Sequence, residues 1–400
     1  MIPRGTPDIG WRDLAIGALA SLQSHNPDTL QAQVETLWSA NHDSLVCLSV
    51  RSGFDVWLQA IALPPGSEVL VSAITIPDMV RILEHHGLIA VPVDVEMATL
   101  SVDRASLVKS LTSKTKAILV AHLFGSRMPL DPIVEFARQH NLLLIEDCAQ
   151  AYDGSEYRGH PASDLSLFSF GPIKTHTALG GGLLRCQNQV VLARMRSLQA
   201  KYPRQRSSAF LKRVGLFALL KLLAQPMIFG GFVQVCNWLG QNHDRVLYQA
   251  LRGFAGKDLF QRLRQQPCMP LLRLLKRRLT RVDVASIDRR MQYADRLIVH
   301  LPDISRPGYH AKLHTHWVFP IQIPTPDELV HRLWQAGFDA TRTASSLVVV
   351  SPPRDRPHLA PVQASQALAT IIYLPLYPWM TEDDLQSLSA IVFSHDRPSE

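Results

Sequence analysis

The chain has 400 residues, a net charge of +7 from 41 Lys+Arg against 34 Asp+Glu, and is 46% hydrophobic and 19% charged. That is too apolar for a disordered chain and ample for a sizeable core; at roughly 100–200 residues per domain it predicts two or three domains. The 27 prolines and 21 glycines follow no period, which excludes collagen-like and low-complexity classes.

The charge is unevenly placed. Residues 201–290 hold 18 Lys+Arg and 4 Asp+Glu, against 23 and 30 in the remainder. A basic block of this kind binds nucleic acid, an anionic membrane surface or a phosphorylated substrate, or is simply a solvated helical surface. The five cysteines are widely spaced and form no CxxC pair, so neither a metal site nor a disulfide framework is expected. The opening MIPRGTPDIGW lacks the apolar run of a signal peptide, and a cytoplasmic location is the expectation.

In chain order, Ser44–Val50 reads as a strand and Gly53–Leu63 as a helix. Strands at Glu68–Val71, Ile89–Val93, Ala117–Ala121 and Leu142–Ile145 alternate with helices at Pro77–His86, Ala105–Leu111 and Leu130–His140. This alternation predicts an α/β fold with a mainly parallel sheet covered on both faces, and ligands at the carboxyl ends of its strands. Residues 201–290 break the rhythm: Leu222–His243 carries no formal charge, and Leu271–Leu279 reads as a basic helix. Beyond about 290 a smaller α/β unit follows, with strands at His316–Ile323 and Ile371–Leu374 and helices at Pro326–Ala336 and Glu382–Ile391.

The densest chemistry lies between Glu146 and Gly182. A strand ends in Glu146-Asp147-Cys148-Ala149-Gln150; about twenty residues later comes Ser169-Phe170-Gly171-Pro172-Ile173-Lys174, and then Gly180-Gly181-Gly182. This order suits pyridoxal 5'-phosphate (PLP). The cofactor needs a lysine amine for its aldehyde, a carboxylate for its pyridine nitrogen, and hydroxyls and amides for its phosphate. Taken singly, each residue has a plainer reading: a helix cap, a solvated lysine, a glycine turn.

The segments LLLIEDCAQAYDG, LSLFSFGPIKTHTALGGGLL, VLVSAITIPDMV, VPVDVE and VAHLFGSRMPLD resemble the DegT/DnrJ family of PLP-dependent sugar aminotransferases. HWVFPIQI and LPLYPWMTEDDL resemble that family's closing segments. The resemblance implies a fold type I PLP-transferase, with a large PLP-binding domain (1–204) and a connecting helix and small C-terminal α/β domain (269–400). It also implies a homodimer. By resemblance, Lys174 bonds the aldehyde and shuttles the proton, and Asp147 pairs with the pyridinium nitrogen. Gln150 lies near the ring. Ser169 binds the phosphate with the amides of Gly53 and Phe54, helped by Ser52. His122 lines the pocket floor, and His176 is incidental.

Three departures stand out. Ser52-Gly53-Phe54 replaces the usual Ser-Gly-Thr, Ile76 stands where an aromatic usually stacks on the ring, and Gln265-Gln266-Pro267-Cys268 replaces an expected asparagine. Residues 205–268 have no counterpart in the family and read as a basic and apolar helical insertion. Its polar interruptions disfavour a span, leaving a hairpin packed on the protein or its dimer partner, or a membrane-surface or lipid-substrate contact through 209–240. It carries no nucleic-acid-binding signature.

The expected activity is transfer of an amino group, from glutamate by resemblance, to a nucleotide- or lipid-linked keto sugar in cell-surface polysaccharide or glycoconjugate biosynthesis. Two alternatives stay open: another PLP reaction on this scaffold (a dehydratase or a non-sugar transaminase), and a catalytically weakened regulatory or binding member. For substrate contacts the candidates are Arg51, Arg342 and His316, with a surface role the plainer reading of Arg342.

Overall fold

The structure, a computed structural model, describes residues 1–400 except 24–26, 252–257, 343–345, 378 and 397–400; part of the 205–268 segment therefore lies outside the described residues. Seven strands form the central sheet: β1 (Ser44–Cys47), β2 (Glu68–Ser72), β3 (Ile89–Val93), β4 (Thr115–Ala121), β5 (Leu143–Asp147), β6 (Leu165–Ser169) and β7 (Gly182–Cys186). Their order is β1-β7-β6-β5-β4-β2-β3. The pairs β6–β5, β5–β4, β4–β2 and β2–β3 are parallel, while β7 runs antiparallel to both β1 and β6. β1 and β2 are buried along their whole length, as expected of strands covered on both faces.

Helices flank the sheet. One layer joins α3 (Val50–Ile61), α4 (Pro77–His85) and α7 (Gln189–Gln199) to the sheet through Phe54, Trp57, Met79 and Met195. The other joins α1 (Trp11–Ala20) and α2 (Pro27–Trp38) to the sheet through Leu14, Val34, Trp38 and Phe168. Parts of the sheet edge are covered by α5 (Arg104–Ser110) and α6 (Asp131–Gln139).

Residues 205–268, expected to be an insertion, form α8 (Ser207–Leu223), α9 (Pro226–Trp238), α10 (His243–Leu251) and α11 (Leu259–Leu263). The basic helix predicted at 271–279 is α12 (Met269–Thr280), whose apolar face Leu271, Leu272, Leu274 and Leu275 is fully buried. The long α13 (Val284–Val299) leads into the small domain, built on the antiparallel strands β8 (Phe319–Gln322) and β9 (Ile371–Leu374). The helices of the small domain are α14 (Pro326–Gln335), α15 (Val362–Thr370) and α16 (Glu382–Asp396).

One boundary shift reaches the site. Val50, read as the end of a strand, is the first residue of α3. Ser49 caps this helix: its hydroxyl accepts from Ser52 N–H at 3.1 Å. A capping hydroxyl three residues before an amide outweighs the strand preference of one β-branched residue.

Candidate active site

The carboxyl ends of β5 and β6 and the N-terminus of α3 meet at one place, as the parallel sheet requires. Asp147 ends β5 and is buried. Among the described residues its carboxylate takes one hydrogen bond, from Ala149 N–H at 2.9 Å. Burial raises its pKa, opposed by the Ala149 N–H and by the charges of Lys174, His122 and Arg51.

Lys174 lies on the loop after β6, its amide bonded to Gly171 O at 3.0 Å. The loop is closed by Thr177, whose hydroxyl donates to Gly171 O at 2.7 Å and accepts from Leu179 N–H at 2.8 Å. His176 and Leu179 flank this hydroxyl in the left-handed backbone region, at φ 59 and 61. Strained backbone of this kind is held only where surrounding bonds fix it. The Lys174 ammonium lies 4.1 Å over the ring of Trp317, whose Nε1–H donates to Ile173 O. Desolvation lowers the Lys174 pKa to about 8, with Asp147 raising it and Arg51 lowering it.

Gln150 accepts from Phe124 N–H at 2.8 Å, and Ser169 Oγ accepts from Gly171 N–H at 3.3 Å. Ser52 donates its amide to Ser49 and shares a 3.0 Å hydroxyl contact with it. Gly53 N–H bonds Ser49 O at 3.0 Å, which commits that amide to the first helical turn. Gly53 also has a packing role: a Cβ there would stand 2.4 Å from Leu184 Cδ2. Phe54 is fully buried in the core, and Ile76 caps α4 while packing on the same core.

His122 does not face this group of residues directly. Its Nδ1 accepts from Met128 N–H, so Nε2 carries the ring proton and bonds Glu146 at 2.9 Å. Glu146 also accepts from Tyr157, Cys148, His160 N–H, Ser163 and Ser166. Burial raises its pKa, but the hydrogen bond and charge of His122, with the Tyr157 hydroxyl and His160 N–H, outweigh it and hold the pKa down, to about 2. Atoms of His122, Glu146 and Cys148 converge within 4.8 Å, but they already serve this hydrogen-bond network. Beneath Asp147, the network anchors the end of β5.

Arg51 pairs with Asp78 at 2.7 Å at the site's edge. Arg342 pairs with Asp327 on the surface, and His316 stacks on His314. His176 is buried between Asp8 and Arg278 O, a structural position. Residues missed by sequence reading are Trp317, Asp8 and the Glu146 cluster. Trp317 sat inside the quoted HWVFPIQI, but nothing local ties that segment to residue 174.

A buried carboxylate with acceptor capacity to spare, a lysine of lowered pKa and a helix N-terminus form a donor set that fits PLP. The model of the DegT/DnrJ/EryC1/StrS aminotransferase family matches residues 25–215. The chain is 35% identical over 161 residues to the GDP-perosamine synthase of Caulobacter vibrioides, covering 40% of this chain and 43% of that protein. To a pleiotropic regulatory protein of Geobacillus stearothermophilus it is 32% identical over 167 residues, 41% of this chain and 44% of that one. The chain thus matches less than half the length of either relative. The structure of the sugar aminotransferase CalS13 from Micromonospora echinospora superposes with a TM-score of 0.67 at 19% identity, covering 98% of this chain and 100% of that one. The fold is therefore that of the fold type I aminotransferases.

Proposed function

We propose that the protein is a PLP-dependent aminotransferase that moves an amino group from glutamate to a nucleotide- or lipid-linked keto sugar, for cell-surface polysaccharide or glycoconjugate assembly. The observation that carries this reading is the placement of Lys174 and Asp147 together at the strand ends, where each charge acts on the other. The bound cofactor would supply a ring that withdraws electrons from the donor's α-carbon. Lys174 Nζ, with a pKa of about 8, is available in its neutral form to bond the aldehyde and then to carry the proton. Asp147, buried and with one described hydrogen bond, is suited to hold a proton on the ring nitrogen. Ser169, Ser52 and the tip of α3 are suited to the phosphate, and Gln150 and Ile76 to the ring. Homodimerisation and a cytoplasmic location belong to the same reading.

The test is spectroscopic. Purified protein should show a visible band that glutamate bleaches, and borohydride should trap the cofactor on Lys174. A band that no amino acid bleaches would remove transamination and favour another PLP reaction. A colourless protein that captures no PLP would favour a binding or regulatory role. Fully buried Phe54, in place of a phosphate-binding hydroxyl, is the observation that keeps this last reading in play.

A second part of the proposal concerns α8 and α9. No single described helix is long and apolar enough to cross a membrane; the two pass such a test only together, and they are bent by 101°. Met227 is 91% exposed and Trp238 84%, with Leu219, Leu222, Ile228, Val235 and Leu239 also open. Next to the basic surplus of 201–290, this apolar surface suits a bent hairpin resting on an anionic membrane surface.

A further inference from the structure

A cavity of about 950 Å³ opens beside Lys174, between the N-terminal arm, the 172–175 loop, α8, α13 and the small domain. Most charged groups on its wall are spoken for. Arg278 is held by Asp8 and Asp13, and Arg4 by Asp339 and Asp244. Two residues lining it carry buried polar atoms with no hydrogen-bond partner: Arg290 Nη2 and Thr175 Oγ1. Thr175 is only 5% exposed and directly follows Lys174. Arg290 donates Nε–H to Thr315 O at 2.9 Å, which fixes the guanidinium and leaves Nη2 unused.

A buried donor left without a partner is costly, and more so when it is charged. The surroundings do not neutralise this one. Asp8, the carboxylate whose charge reaches Arg290, is already bonded by Arg278 and by His176 N–H. Nearby, His314 and His316 are pushed down to about 3 and about 4 by burial and by the charges of Arg290 and Arg306. Arg306 also has a buried Nε without a partner. The region therefore has excess positive charge and spare donors, which is the complement of an oxyanion.

We propose that Arg290 Nη2 and Thr175 Oγ1 bind an oxyanion of the substrate, a carboxylate or a phosphate, in the cavity beside Lys174. The inference rests on the aminotransferase reading only for what the anion belongs to: the carboxylate of the amino donor or the phosphate of the activated sugar. Neither residue needs to take part in proton transfer.

The test is binding without turnover. Trp317 and Trp379 line the cavity and report through their fluorescence. Wild-type holoenzyme is titrated with glutarate, an unreactive dicarboxylate, and separately with inorganic pyrophosphate. Saturable binding of glutarate assigns the subsite to the amino donor, and of pyrophosphate to the activated sugar. For the probe that binds, Arg290→Gln should raise the Kd about tenfold or more and Thr175→Val about threefold. Arg296→Gln, an exposed arginine of α13 that pairs with Glu382 outside the cavity, should change it less than twofold. If Arg290→Gln fails to fold, Thr175→Val decides alone, because its hydroxyl has no bond to lose. Binding of neither probe to wild type, unchanged affinity in both variants, or an equal loss in Arg296→Gln overturns the proposal. A protein that never bleaches with glutamate, but loses probe binding in Arg290→Gln, keeps the subsite and loses only the reaction.

Discussion

At Lys174, two effects lower the pKa and one raises it. Desolvation and the charge of Arg51 disfavour the ammonium, while Asp147 favours it, and the balance lies near 8 rather than the 10.5 of a free lysine. Only the neutral amine attacks an aldehyde, and it is populated above the pKa. Capture of PLP by the apo-protein should therefore speed up about tenfold per pH unit below about 8 and level off above it. Stopped-flow growth of the visible band between pH 6 and 10 measures this. Arg51→Gln removes a charge that lowers the pKa, so its midpoint should move up. A wild-type midpoint near that of a free lysine would show that the amine is not held as described. Asp147 and Lys174 were legible because their roles travel with a short motif. Trp317, Arg290 and Asp8 were not, because they reach the site only through tertiary packing.

Among the elements, the parallel strands were the easiest to read. Short apolar runs mark strands, and the parallel Ile89–Val93 and the antiparallel Ile371–Leu374 were both placed to the residue. Helices α1, α2 and α13 were passed over. Buried charges blur their pattern: Asp13 answers Arg277 and Arg278, and Glu35 answers Arg196, so a polar letter can mark an inward face. The insertion was read as a packed hairpin or a membrane contact, and α8 has features of both. Phe210, Val214, Phe217 and Leu220 form an inward stripe at helical spacing, and Gly17 of α1 lets it close, since a Cβ there would sit 3.3 Å from Val214. Deleting the hairpin would thus strip the core as well as the surface, so point changes are the cleaner probe. Met227→Glu with Trp238→Glu alters only exposed side chains and should leave thermal stability within about 0.5 kcal/mol. Wild type should float with anionic phospholipid vesicles and the double variant at least tenfold less, through lost burial and added repulsion. Equal flotation of the two, or none for wild type, discards the membrane reading.

On the scale of the whole molecule, three parts of the chain meet at one buried carboxylate. Asp339 of the small domain is fully buried and accepts from Arg4 of the N-terminal arm through Nε at 2.8 Å and Nη2 at 2.7 Å. His243 at the start of α10 lies 3.3 Å from the same carboxylate, and Asp244 takes the remaining arm of Arg4 at 2.6 Å. Tyr377 adds a tie, donating to Ala224 O at the end of α8. The +7 net charge hid this arrangement, because basic residues in and around the insertion serve as internal fasteners: Arg264 on Asp55, Arg278 on Asp8 and Asp13. Arm, insertion and small domain together enclose the cavity beside Lys174, so their coupling sets its shape. Arg4→Met keeps most of the side-chain volume but leaves Asp339 buried with its main cation gone. Breaking one side of a buried pair costs about 3–5 kcal/mol. The loss should fall on the junction rather than on the seven-stranded sheet. Calorimetry should then resolve a low-temperature transition of the small domain ahead of the large one, where wild type melts in a single step. Asp339→Asn with Arg4→Met, which removes both charges, should recover part of the loss. A single unshifted transition in Arg4→Met would show that the domains hold together without this fastener.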